Sequence, residues 1–195
     1  MDTPVLEGQF VRLEPLAPSH FDALRSIAIE PSNWRYMVNP VRNDAELHQW
    51  IEKALASPSI MAWVTVRLGH EGAPEVAAGA TRFLDLDLKN ASVEIGNTWL
   101  TPEARGSRLN TEAKLLQLGY AFETLGLNRV AFKTHSANIR SQAAIKSIGA
   151  RYEGTFRNHM VMPDGSLRDT VWFSIIRSEW PEVKDTLTRR LNTPH

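Results

Sequence analysis

The stretch TPEARGSRLNTEA, Thr101–Ala113, lies between SVEIGNTWL (92–100), which alternates like a strand, and TEAKLLQLGYAFETL (111–125), which has helical spacing. A strand that passes through Arg-Gly into a helix presents the helix's first amides, which have no partner inside the helix, and the positive end of its dipole. Such a turn favours an anion. Gly106 can take a positive φ and lets a ligand approach the backbone, while Arg105 and Arg108 would add charge. A non-glycine residue in the left-handed region costs roughly 1–2 kcal/mol, and an Arg–phosphate hydrogen bond returns about 1.5–3 kcal/mol, so side-chain charge can replace glycine's backbone fit.

Working outward, the next segment RVAFKT (129–134) reads as a strand, so strand, helix and strand form a crossover with parallel strands. Upstream, MAWVTVRL, EVAAGATRFLDLDL and SVEIGNTWL form three strands of an expected antiparallel meander. QFVRLEPL is a short strand near the N-terminus. SHFDALRSIA, with Ser19 as N-cap, and NDAELHQWIEKALA are helices joined by EPSNWRYMVNPV. NIRSQAAIKSI is a short helix with Asn138 as a good N-cap and closed by Gly149, and the two segments flanking Asp164-Gly165 form a hairpin. A last helix, about 178–191, aligns Trp180, Val183, Leu187 and Leu191. The expectation is a mixed α/β fold in a single domain, 1–195, with helices flanking a central, mostly antiparallel sheet.

The bulk composition narrows the function classes. Across 195 residues, 22 Lys and Arg balance 22 Asp and Glu, so no global charge draws the chain to nucleic acid or an anionic membrane. Cysteine is absent, which removes disulfides, thiolate nucleophiles and Cys-ligated zinc. No apolar run reaches membrane-spanning length, and the N-terminus is unlike a signal peptide; a soluble cytoplasmic protein is expected. No His, Asp or Glu spacing suggests a metal site.

The element order and the Arg-Gly turn resemble the GCN5-related N-acetyltransferase (GNAT) fold, and most closely its RimJ/RimL-like branch, which acetylates ribosomal-protein N-termini. The likeness covers nearly the whole chain. In that family the turn reads Arg or Gln, two residues, Gly, one residue, then Gly or Ala, and its amides cradle the pyrophosphate of acetyl-coenzyme A. Arg105 fits the first position, Arg108 stands where Gly is usual, and Asn110 where Gly or Ala is usual. NIRSQAAIKSIGARYEG resembles the family's Asn-x-x-Ser block through Asn138 and Ser141, and MPDGSLRDTVWFSI its closing hairpin. The resemblance therefore implies acetyl-CoA as cosubstrate, with Trp99, Leu100, Arg105, Gly106, Ser107, Arg108, Leu109, Asn110, Thr111, Asn138 and Ser141 around it. It implies a primary amine as acceptor, a protein N-terminus or a small amine, and it leaves room for a homodimer. A non-catalytic acyl-CoA-binding regulator is the competing class.

Acetyl transfer needs a neutral amine, a polarised carbonyl and an outlet for the thiolate. An α-amino group has a pKa near ~8, so a base need contribute only about 100- to 10,000-fold. Glu94 is the candidate base, because a carboxylate inside an apolar strand is costly to bury without a reason. The alternative is an ion pair with Arg or Lys across the sheet. On strict alternation Val93, Ile95 and Trp99 would share one face, and Glu94, Gly96 and Thr98 the other. Ser141 is the candidate for handling the sulfur, since many members carry a Tyr four residues further on and this chain has Ile145 there. Trp34, Tyr36 and Met37 would wall the acceptor, or else anchor their loop into the core. His159 is a substrate-side candidate, and His135 is read as a loop residue.

Overall fold

The computed structural model describes residues 2–69 and 73–193. The N-terminal strands are β1 (Leu6–Glu7) and β2 (Val11–Pro15), followed by helices α1 (Phe21–Ala28) and α2 (Asp44–Ala56). Strands β3 (Met61–Arg67), β4 (Val76–Asp87) and β5 (Ser92–Leu100) come next, then helix α3 (Arg108–Gly119), which continues into a turn of π-helix at Tyr120–Thr124. The chain ends with β6 (Arg129–His135), α4 (Ile139–Ser147), β7 (Arg151–Val161), β8 (Leu167–Ile176) and α5 (Trp180–Asn192). One eight-stranded sheet runs in the order β1-β2-β3-β4-β5-β6-β8-β7. Every neighbouring pair is antiparallel except β5 and β6, the two strands joined through α3. The meander, the parallel crossover and the Asp164-Gly165 hairpin are as the residues predict. The small strand β1 is an addition.

Two cap expectations shift. Ser19 falls within a 3-10 turn, Pro18–His20, and His20 rather than Ser19 caps α1. Helix α3 begins at Arg108, three residues before Thr111, with Ser107 as its N-cap accepting from the Leu109 amide. Asn138 caps α4 as expected, its side chain accepting from the Ser141 amide at 3.1 Å.

The sheet separates two apolar layers. α3 and α5 cover a core built on Leu13, Trp63, Phe83, Ile95 and Phe173; α1 and α2 cover a second one built on Leu24, Leu47, Val64, Ala80 and Trp99. Trp99 therefore does not share a face with Val93 and Ile95. The register gives the reason: Ala80 opposes Trp99 and Arg82 opposes Gly96, so Thr81 alone faces both Asn97 and Thr98. That extra residue is a β-bulge, which turns the following side chains over. Asn97 occupies it at φ +48°, a conformation Asn adopts more readily than most residues. Trp50 Nε1 donates to Asn97 Oδ1 at 3.2 Å, and Trp99 packs with Trp34 and Trp50 on the same side.

The helix that follows the bulge is itself fastened. Glu112 of α3, fully inside the protein, accepts from three successive backbone amides of the β1–β2 connection, Gln9 at 2.7 Å, Phe10 at 2.6 Å and Val11 at 2.8 Å. Removing this carboxylate leaves buried donors unpaired, which costs more than the bonds contribute. Glu112→Ala should destabilise the fold by about 2–4 kcal/mol in urea unfolding; a loss under about 0.5 kcal/mol would show that water replaces the carboxylate.

Candidate active site

β5 and β6 separate before the bulge is reached. They pair only through Ser92, Val93 and Glu94 against Arg129, Val130 and Ala131. The gap that opens past Glu94 is a cleft of about 560 Å³ that passes between the two faces of the sheet. From the α3 and α4 side it is lined by Gly106, Asn110, Lys114, Asn138, Ser141 and Ile145. From the α1 and α2 side it is lined by Tyr36, Met37, Lys53, Arg82, Met160 and Arg168.

Glu94 stands at the vertex of this gap with 4% of its surface exposed. Burial raises its pKa, and Lys133 on β6 opposes that rise through an ion pair at 2.7 Å. The ion-pair reading of Glu94 is met across the sheet, and the same side chain also lines the cleft. Gly96 is what gives it room, because a Cβ there would lie 2.6 Å from Glu94 Oε1.

At the other end, Gly106 has φ +73° with open space around it, immediately ahead of α3. Of the first-turn amides of α3, Ser107 Oγ takes only that of Leu109, at 3.3 Å. A glycine with an open approach, a helix N-terminus and the polar side chains of Asn110 and Asn138 form a donor set that fits a pyrophosphate. Ser141, in the first turn of α4, and Ile145 one turn on face the same space.

The two arginines of the turn are placed differently from the expectation that both hold phosphate by side-chain charge. Arg105 folds back onto the protein, donating to Leu100 O at 3.0 Å, Ser32 Oγ at 2.9 Å and Asn33 Oδ1 at 2.7 Å. It fastens the 3-10 turn Pro31–Asn33 to the end of β5 and still lines the cleft. Arg108 points toward the C-terminal helix, donating to Thr193 O at 2.6 Å beside the ring of Phe10, outside the cleft lining.

Other assignments divide likewise. Trp99, Leu100 and Tyr36 line the cleft. Ser107 and Thr111 are not part of the lining, and Leu109 is buried in the α3-side core. Trp34 is in the tryptophan cluster, its Nε1 bonded to Ala28 O, so it anchors its loop instead of walling the cleft. His159 is on the edge strand β7, bonded to Thr170 Oγ1 at 3.0 Å and packed against Phe156 and Trp172, and is not in the lining. His135 is not a loop residue but the last residue of β6, paired with Thr170; its Nδ1 accepts from the Ala137 amide, and it is not in the lining.

Six cations in the lining escaped the sequence reading: Lys53, Arg82, Lys114, Lys133, Arg140 and Arg168. The available signal was an Arg within the apolar run VAAGATRFL and a Lys four residues after Asn110 on a mostly buried helix. Lys114 is 6% exposed and donates to Thr81 Oγ1, Thr98 Oγ1 and Gln117 Oε1 at 3.0, 3.1 and 2.8 Å. Those three acceptors match its three donors, and two of them belong to the bulge.

The chain matches the acetyltransferase (GNAT) domain family over residues 11–151. It is 32% identical to a GCN5-related N-acetyltransferase structure from Brucella melitensis, with a TM-score of 0.88 over 98% of this chain and 86% of that one. Over 106 residues it is 36% identical to Bacillus subtilis YdaF, whose name assigns it provisionally to ribosomal N-acetylation; the match spans 54% of this chain and 57% of YdaF. It is 26% identical over 194 residues to an Aspergillus fumigatus protein named FsC-acetyl coenzyme A-N(2)-transacetylase, covering 95% of this chain and 82% of that protein. Mycobacterium smegmatis RimJ, solved with CoA-disulfide, shares the fold at a TM-score of 0.80 and 18% identity, over 97% of each chain. No helix among the described residues is long and apolar enough to cross a membrane.

Lys114 yields a pH-dependent prediction. Burial lowers its pKa from 10.5 to about 7, so above pH 7 the unfolded chain holds a proton that the folded one has released. That contribution makes the fold more stable as pH rises from about 7 to 10. Lys114→Met should remove it, so the parent should gain on the variant by more than about 1.4 kcal/mol across that range, the worth of one pKa unit. Parallel stability curves in urea would contradict the lowered pKa of Lys114. The family match over most of the chain, the fold and the parted strands agree: the chain belongs to the GNAT family of acetyltransferases.

Proposed function

We propose that this protein transfers acetyl from acetyl-CoA to a primary amine, with Glu94 as the general base and the Gly106–Asn110 turn as the pyrophosphate site. The observation that carries the reading is the parting of β5 and β6, which lets one cleft reach both Glu94 and the N-terminus of α3. Acetyl-CoA would supply an activated thioester carbonyl in the gap. The β5 backbone past Asn97 is unpaired on its β6 side and is available to hold the pantetheine arm.

Glu94 would accept the amine's proton, directly or through one water. Burial raises its pKa above the ordinary carboxylate value, which makes it a stronger base than an exposed carboxylate. The ion pair with Lys133 acts in the opposite direction and favours the carboxylate form. Ser141 would hydrogen-bond the departing sulfur from the first turn of α4, where the helix dipole also favours a thiolate. Much of the acceleration would come from holding the two reactants on either side of one gap. For the acceptor, the name of YdaF suggests a protein or peptide N-terminus, and that of the fungal relative suggests the amine of a smaller molecule.

The test is thiol release from acetyl-CoA with a panel of peptides and small amines. Glu94→Gln should lower kcat about ten- to a hundredfold while CoA affinity stays within about twofold, and its residual rate should climb more steeply with pH. A variant that matches the parent rate from about pH 6 to 9 removes Glu94 from the base role. CoA binding without thiol release on any amine would instead mark a non-catalytic acyl-CoA-binding protein.

A further inference from the structure

The acceptor side of the cleft carries more positive charge than the protein neutralises. Lys53, Arg82, Lys133 and Arg168 line it, and among the described residues Glu94 is the one carboxylate of the lining, acting on Arg168 only at longer range than an ion pair. Lys133 is the cation paired with Glu94. Arg82 and Arg168 are 5% and 6% exposed, and among the described residues neither forms an ion pair. Arg82 lies flat on the Trp50 ring at 3.6 Å and donates to Trp50 O at 2.9 Å, while its buried Nε has no protein partner. Arg168 donates to Thr170 Oγ1 and Tyr36 O, both neutral acceptors.

Burying a guanidinium without a counterion is expensive, and burial alone pushes Arg82 down to about 9. A counterion delivered by the substrate would relieve that cost only in the complex. The geometry limits where such a charge could lie. Arg82 opposes Gly96 and Leu84 opposes Glu94, so Arg82 is one strand across and two residues along from the proposed base. The backbone separation is roughly 8 Å, from strand spacing and rise. Both side chains project from the α1 and α2 face, so the span between their heads suits a small molecule's own length.

We infer that the acceptor is a primary amine that also bears a carboxylate a few bonds from its nitrogen, bound by Arg82 while the amine faces Glu94, with Arg168 on the opposite bank adding to the attraction. The inference rests on the acetyltransferase reading above. A free amino acid and a peptide with an acidic residue next to its N-terminus present the same chemistry. A polyamine presents the opposite one, since a second ammonium would meet Arg82 and Arg168.

Matched acceptors decide it. Alanine against alaninamide reports an α-carboxylate, and C-terminally amidated Ser-Glu-Ala against Ser-Gln-Ala reports an acidic side chain; spermidine completes the set. The acid should exceed its amide at least tenfold in kcat/KM in one pair, which identifies the source, and spermidine should rank last. Arg82→Gln should reduce that ratio to under about threefold by raising KM for the acid more than KM for the amide, and Arg82→Lys should restore part of it. Equal use of acid and amide in both pairs by the parent overturns the inference while leaving acetyl transfer intact. So does a folded Arg82→Gln that keeps the full ratio, provided Arg168→Gln keeps it too. Should Arg82→Gln not fold, the parent's acid-to-amide ratios decide. If no acceptor releases thiol, the transferase reading fails instead, and calorimetry on the CoA-loaded protein takes over: tighter binding of the acid supports the charge inference, and equal binding overturns it.

Discussion

The extra residue at Asn97 is the constraint on which the rest of the structure depends. It inverts the end of β5, sends Trp99 into the layer under α1 and α2, and brings Thr98 toward α3. It is held from both faces, by Trp50 on one side and by Lys114 on the other. The ladder with β6 ends at Glu94, the bulge follows three residues on, and no further β5–β6 pair forms beyond it. A cleft therefore runs through the middle of the sheet, and part of its wall is β5 backbone without a partner on the β6 side. A bulge used this way converts a structural irregularity into a binding surface.

Charge around that cleft follows from the same cause. An opening in the centre of a sheet can be lined only by side chains that would otherwise be core, so Glu94, Arg82, Lys114 and Arg168 are all largely withdrawn from water. Each raises the energy of the fold relative to an apolar residue of similar size. Lys114 is compensated by three neutral acceptors and Glu94 by Lys133, whereas Arg82 is compensated mainly by a ring face and one carbonyl. The compensation is uneven and is weakest at Arg82, whose buried Nε has no partner among the described residues.

Much of this was legible in the residues. Alternation, the crossover spacing, Asn138 as a cap and Asp164-Gly165 as a hairpin turn are local signals, and each led to the observed element. Glu94 was legible because a carboxylate in an apolar strand is conspicuous. The bulge was not, since one inserted residue leaves no mark on composition and the period-two rule then assigns Trp99 to the wrong face. Arg105 and Arg108 were also beyond reach: their partners, Asn33 and Thr193, are 72 and 85 residues away, and a long flexible side chain adjacent to a turn can bend either way. Arg82 could have been flagged from its apolar setting, but its lack of a counterion is a property of three dimensions alone.

The central claim, that the gap between β5 and β6 joins a cofactor side to an acceptor side, is tested most directly by a crystal structure of the protein with CoA. The account predicts the pyrophosphate on the amides of Gly106–Asn110, the pantetheine arm along β5 beyond Asn97, and the sulfur in the gap between Ser141 and Glu94. CoA bound elsewhere on the surface, with water filling the gap between the strands, would contradict it.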